Sequence, residues 1–187
     1  MRGFQFVDNK AALKLDEVCK KMLALAGDSQ HDLSPTGLLE RTITMQDEFG
    51  DLCVILRYDR RSKLFAVLYN LQVEQFIESP CSCDARVAVN VSTRNIEVSS
   101  GDLSAELRER LEALVASDLF SKRLNQLDIV GVSFEGVANR GWRITLEPYV
   151  GSCTWNLIPP VMYLIEPSVG DCMRCVELLR MTASCFW

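Results

Sequence analysis

The sequence predicts an α+β fold, an antiparallel sheet built from a β-meander and hairpins with three amphipathic helices packed on it. Three observations carry this reading. Apolar residues recur at helical spacing in three separated segments; elsewhere they form short alternating or continuous runs bounded by turn formers; and the helical segments do not alternate with single strands as a doubly wound parallel sheet requires. At 187 residues the chain has the length of one domain, 1–187. A domain of that size buries roughly 70% of the surface its unfolded chain exposes, so it needs no staples.

Residues 8–26 read as the first helix, because Leu15, Val18, Cys19, Met22, Leu23 and Ala26 fall on one face and Lys14, Glu17, Lys20 and Lys21 on the other. Asp8 is a candidate N-cap and Gly27 the stop. Residues 28–37 are rich in turn formers, Pro35 and Gly37 among them, and read as a loop. A meander follows, with strands near 38–46, 52–58 and 63–70. The middle one, Leu52-Cys53-Val54-Ile55-Leu56, is apolar on both faces and reads as a central strand covered on both sides.

Residues 71–85 fit no single pattern and end in a loop at 79–84. Val87, Val89 and Val91 then alternate with Arg86, Ala88 and Asn90, and the chain turns at 92–95 into Ile96-Glu97-Val98, a second hairpin. Ser100-Gly101-Asp102 opens a second helix, with Leu103, Leu107, Leu111, Leu114 and Val115 in line, ending near Ser117-Asp118. A further hairpin runs from Ile129 to Val137 and back from Trp142 to Tyr149. Short strands at 152–157 and 161–166 flank Pro159-Pro160, which belong at a sheet edge or bulge because proline donates nothing to a ladder. The last helix spans 169–182, with Cys172, Cys175, Val176 and Leu179 on its stripe.

Composition narrows the function classes. Lys plus Arg is 20 against 25 for Asp plus Glu, a net charge of −5, which opposes long-range attraction to nucleic acid or anionic membrane. The one histidine, His31, excludes centres that need two imidazoles from one chain. No apolar run approaches the roughly 20 residues that span a bilayer. Charges at Asp8, Lys10, Lys14, Asp16 and Glu17 interrupt the place where a secretory signal carries its apolar stretch. Eight scattered cysteines do not form the framework of a small secreted scaffold, so the expected compartment is a reducing cytoplasm.

Among candidate sites, Cys81-Ser82-Cys83 and Cys172-Met173-Arg174-Cys175 together supply four thiolates, the complement of a structural zinc site. Packed thiols are the competing reading, since free cysteine behaves as a small hydrophobe. Cys172 also falls in the first turn of a helix after a strand, where a helix dipole can activate a thiol. His31 with Ser29 and Asp32 offers the residue types of a hydrolytic triad, but neighbours so close in sequence do not converge in line. Asp47 with Glu48, and Glu135 with Glu147, are paired carboxylates of the kind acid–base catalysis uses once one is desolvated. Gly131, Gly136 and Gly141 lack the GK[ST] continuation of a phosphate loop.

Arg57, Arg60 and Arg61, with Lys63 and Tyr58, form a small basic patch expected at a hairpin tip. Phe186 and Trp187 are large rings that either join the core or anchor an interface. The expected function is a non-enzymatic cytosolic module for binding or assembly, homo-oligomeric, with Phe186, Trp187, Arg57, Arg60 and Arg61 as interface candidates. The alternatives are a thiol- or zinc-dependent protein using Cys81, Cys83, Cys172 and Cys175, and a small-molecule carrier with Trp142, Trp155 and Phe134 near its pocket.

Overall fold

The computed structural model describes residues 3–26, 31–47, 50–79 and 84–187. In chain order its elements are α1 (Gly3–Leu23), β1 (His31–Gly37), β2 (Glu40–Asp47), β3 (Gly50–Ser62), β4 (Ala66–Ile77), β5 (Arg86–Asn90), β6 (Asn95–Ser100), α2 (Ala105–Ala116), α3 (Asp118–Gln126), β7 (Ile129–Val137), β8 (Gly141–Pro148), β9 (Cys153–Leu157), β10 (Pro160–Leu164) and α4 (Val169–Ala183). The class is α+β, with a ten-stranded antiparallel sheet and four helices among the described residues. The residues divide into two compact units, one of 1–73 with 148–173, the other of 74–147 with 174–187.

In the first unit the strands follow the order β1-β2-β3-β4; β9 pairs with residues 66–69 of β4, and β10 pairs with β9. Helix α1 packs on β2 and β3. It starts five residues before the expected Asp8, because the apolar stripe reaches back a turn: Val7, Ala11, Leu15, Val18 and Met22 are all buried. Asp8 is not a cap. Its carboxylate accepts the Tyr69 hydroxyl at 2.6 Å and pairs with Arg60 at 3.1 Å.

The expected loop at 28–37 is a strand over 31–37, paired antiparallel with β2 from His31↔Met45 to Gly37↔Glu40. Its turn-forming composition suits an edge. Pro35 needs no donor on an outer strand, and the register shifts between Pro35 and Gly37, an irregularity of the kind that blunts sheet edges. The expectation that β3 is covered on both faces also fails. Leu52, Val54, Leu56 and Tyr58 are buried, while Cys53 is exposed and Ile55 half-buried, as in an antiparallel sheet with one wet face.

One buried cation fixes the start of this sheet. Arg41, 8% exposed, donates to Asp16 at 2.7 Å and to the carbonyls of Gly37, Leu38 and Glu40 at 2.7, 3.3 and 2.8 Å. A planar guanidinium reaches all four acceptors at once, tying the β1–β2 turn to α1.

In the second unit the order is β8-β7-β5-β6. Val87 and Val89 of β5 are buried while Arg86 and Ala88 are exposed, as the alternation predicts. The Asn90 side chain accepts from Ser92 N and Thr93 N, both at 3.1 Å, closing the β5–β6 turn. Ser104 caps α2 by accepting from Leu107 N at 3.2 Å.

Three helices were expected where four exist. At Ser117 the backbone swings to an extended ψ of 127°, which ends α2, and α3 begins at the next residue. In its nine residues α3 buries Phe120, Ser121 and Leu124, too short a repeat to stand out as a period in sequence. In α4 a capping box formed by Ser168 and Asp171 fixes the first turn, with Ser168 N donating to the carboxylate at 2.8 Å and Asp171 N to the Ser168 hydroxyl at 3.1 Å.

Candidate functional site

The cysteine pairs are not described as a set, because Cys81 and Cys83 lie outside the described residues. Cys172 and Cys175 are both buried on α4. Burial, with Asp171 adding to it, pushes the Cys172 thiol up to about 11. An activated thiol needs the opposite displacement. Among the described residues no group of three or more His, Cys, Asp or Glu side chains is placed to hold a metal ion.

Two further thiols of the first unit are raised in the same way. Burial and Asp16 lift Cys19 to about 12, and burial lifts Cys153 to about 11 against the lowering effect of the Tyr58 hydroxyl. In the unfolded chain such thiols ionise near about 8.5. Below that pH their contribution to stability is complete. As pH rises from about 9 through the folded values of about 11 to 12, the unfolded chain releases protons the folded one keeps, and stability falls. The urea midpoint is therefore expected to be lower at pH 10.5 than at pH 8, with a smaller loss in a Cys19→Ala, Cys153→Ala double variant. Brief alkylation of the native protein at pH 8 is expected to label exposed Cys53 well before Cys19, Cys153 or Cys172.

The other catalytic candidates are dispersed. His31 begins β1, Ser29 lies outside the described residues, and Asp32 accepts the Ser34 hydroxyl at 3.2 Å. The side chains of Asp47 and Glu48 are not described. Glu135 is clamped by Arg86 and Arg143, each at 2.8 Å. Glu147 lies against Gly131, four positions along β7 from Glu135 and so roughly 13 Å away.

The arginine patch sits within a strand, since β3 continues to Ser62 and the tip falls at Lys63–Phe65. Pairing keeps the strand going through this charged run: Arg57 donates to Gln72 at 2.9 Å, Arg60 pairs with Asp8 at 3.1 Å and Arg61 with Asp59 at 2.8 Å. Phe186 is buried, with ring centroids 5.7 Å from Phe134 and 5.1 Å from Trp142. Trp187 is exposed, and its carbonyl accepts from Arg110 at 2.6 Å. Trp142 lines a cavity of about 140 Å³ beside Phe186, whereas Trp155 is buried under Phe6, their ring centroids 6.3 Å apart.

A surface that sequence reasoning missed is formed by two hairpin tips of the first unit. The β3–β4 turn carries Leu64 and Phe65, 80% and 64% exposed, and the β9–β10 turn carries Ile158, 80% exposed. Leu157 N donates to Phe65 O at 3.0 Å, and the register Ala66↔Asn156 continues from there, so the tips lie side by side. Leu157, Val161 and Tyr163 extend the exposed apolar surface. From Leu157 to Ile165 there is no charged residue.

β10 pairs with β9 and with no other described strand, so its second edge is open. Cross-strand partners share a face, so Met162 lies with Trp155 on the side where Phe6 sits, and Val161 and Tyr163 lie on the other. An open edge is normally blunted by charge. Here it is apolar on both faces. The sequence signal is the uncharged run itself, which reads as short strands around a sheet edge or bulge at Pro159-Pro160.

Residues 31–186 match the family model described as protein of unknown function DUF3156. The chain belongs to that family. The matched span takes in every strand of the DUF3156 sheet and the twin tips, and leaves out α1. No curated protein and no solved structure matches this DUF3156 chain. No described helix is long and apolar enough to cross a membrane.

Proposed function

We propose that this DUF3156 protein is a non-enzymatic cytoplasmic assembly module that pairs with a second copy of itself through the twin hairpin tips. The exposed, uncharged cluster of Leu64, Phe65, Leu157, Ile158, Val161 and Tyr163 around an open strand edge carries the reading. Exposed apolar side chains gathered on both faces of an open strand edge mark interaction sites. Lys63 is the one charge at the two tips, so a partner of opposite charge gains little there, while a second identical apolar tip matches it in character. An antiparallel strand edge is also self-complementary about a two-fold axis, the geometry an isologous dimer requires. The free thiols Cys19, Cys53, Cys153, Cys172, Cys175 and Cys185 suit a reducing compartment.

Light scattering coupled to gel filtration, over a hundredfold range of concentration, tests this. The wild-type chain is expected to run as a dimer at high concentration. Ile158→Asp with Leu64→Asp is expected to weaken dimerisation by at least about 100-fold, since burying each charge forfeits an apolar contact and adds a desolvation cost. Far-ultraviolet dichroism should be unchanged, as both side chains are exposed. A wild-type monomer throughout, or a dimer that survives both substitutions, overturns the reading.

A further inference from the structure

A second cavity, of about 260 Å³, opens in the second unit between the β5–β6 turn and helices α2 and α3. Its lining divides by chemistry. Val89 of β5, Val115 of α2 and Leu124 of α3 are buried and give an apolar floor. Ser92, Arg94, Ser121 and Asn125 supply the polar groups. An apolar cavity of about 150 Å³ accommodates benzene, so this one has room for about ten non-hydrogen atoms.

The polar groups are set for a ligand rather than for one another. Arg94 sits in the left-handed region, φ 55°, at the end of the turn that Asn90 closes, which fixes its backbone at the cavity. Its ion pair with Asp118 is 3.8 Å long and Asp118 is fully exposed, so water screens it and the guanidinium fork is little committed. Ser121 is buried although its side chain is a hydroxyl, and its backbone N–H is already satisfied by Ser117 O at 3.0 Å. The Ser121 hydroxyl lines the cavity and is able to donate to what enters it.

We infer that this cavity binds a small monocarboxylate with an aliphatic tail. The tail covers the floor and the carboxylate meets Arg94, with the Ser121 hydroxyl and the Asn125 amide as further donors. One guanidinium matches one carboxylate in a bidentate pair. A phosphate dianion fits less well, because the one guanidinium balances a single negative charge and leaves the second unpaired. The inference concerns the second unit alone and does not rest on the hairpin tips.

Calorimetric titration of the full chain with hexanoate tests it. Saturable one-to-one binding is expected with Kd of roughly 0.1 to 1 mM, the range open to so small a ligand. Hexanol, with the same tail and no charge, is expected to bind about tenfold more weakly, and Arg94→Gln should bring hexanoate down to the hexanol value. Ser121→Leu fills the cavity and should abolish binding of both; if that variant does not fold, Asn125→Leu, which removes a donor at the exposed rim, should weaken hexanoate more than hexanol. No saturable binding up to about 10 mM, equal affinity for hexanoate and hexanol, full retention in the filled variant, or displacement of hexanoate by equimolar inorganic phosphate would each overturn the inference.

Discussion

Replacing Arg41 by alanine is expected to lower the unfolding free energy by about 3 to 5 kcal/mol, the cost of breaking a buried ion pair from one side. The guanidinium is the common partner of the Asp16 carboxylate and of three carbonyls at the β1–β2 turn. Alanine removes the common donor: water reaches the Asp16 carboxylate, which is 32% exposed, while the three turn carbonyls each lose a charged partner. Arg41→Lys keeps the charge but offers a point donor in place of a fork, and should recover less than half of the loss. Urea denaturation reads both. The midpoint should fall with an unchanged slope, because the surface exposed on unfolding is the same. A loss below about 1 kcal/mol for alanine would put Arg41 among ordinary surface ion pairs and contradict its buried role.

The second large effect is expected at Gly141, where β8 begins. Its φ is +144°, outside the range that side chains tolerate, and a Cβ built there would lie 2.0 Å from the carbonyl oxygen of Ile77. The obstacle is backbone of a neighbouring strand, so it cannot rotate aside. Gly141→Ala is expected to cost about 3 kcal/mol or more, from strain together with the displaced strand. The comparison variant is Gly37→Ala, where the nearest atom is 3.4 Å away and no positive φ applies. That change should stay within about 1 kcal/mol. Thermal melts of the two variants beside wild type check the contrast, and equal losses would mean that the Gly141 contact relaxes.

Much of this architecture was legible because local pattern and tertiary role agree. The hairpin across residues 138–141, the stripe of the second helix and the α1 stripe each carry their own signal of alternation or period, although the second helix starts after its Ser104 cap and not at the expected Ser100–Asp102. The misses share a physical cause. β1 is a strand because β2 offers it a ladder, not because Ser34, Pro35 and Gly37 favour extension. The charged run Arg57–Ser62 stays in β3 because Asp8, Asp59 and Gln72 supply partners, two of them far away in sequence. The two tips that carry Leu64 and Ile158 come side by side only through the pairing of residues 66–69 with β9, a non-local contact that no window on the sequence contains. The cavity beside Arg94 likewise depends on α3, which was too short to be seen.

The lack of charge between Leu157 and Ile165 also sets how the tips respond to conditions. Contact between apolar surfaces near room temperature is driven by the release of ordered water, and that drive fades on cooling. Added salt, which screens interactions between exposed charges, has little to act on along this run, Lys63 being the one charge at the tips. Contacts made through the tips therefore strengthen on warming and tolerate salt, while the paired arginines on β3 respond to ionic strength. One unit thus carries two surfaces under separate control, one set by temperature and the other by electrolyte.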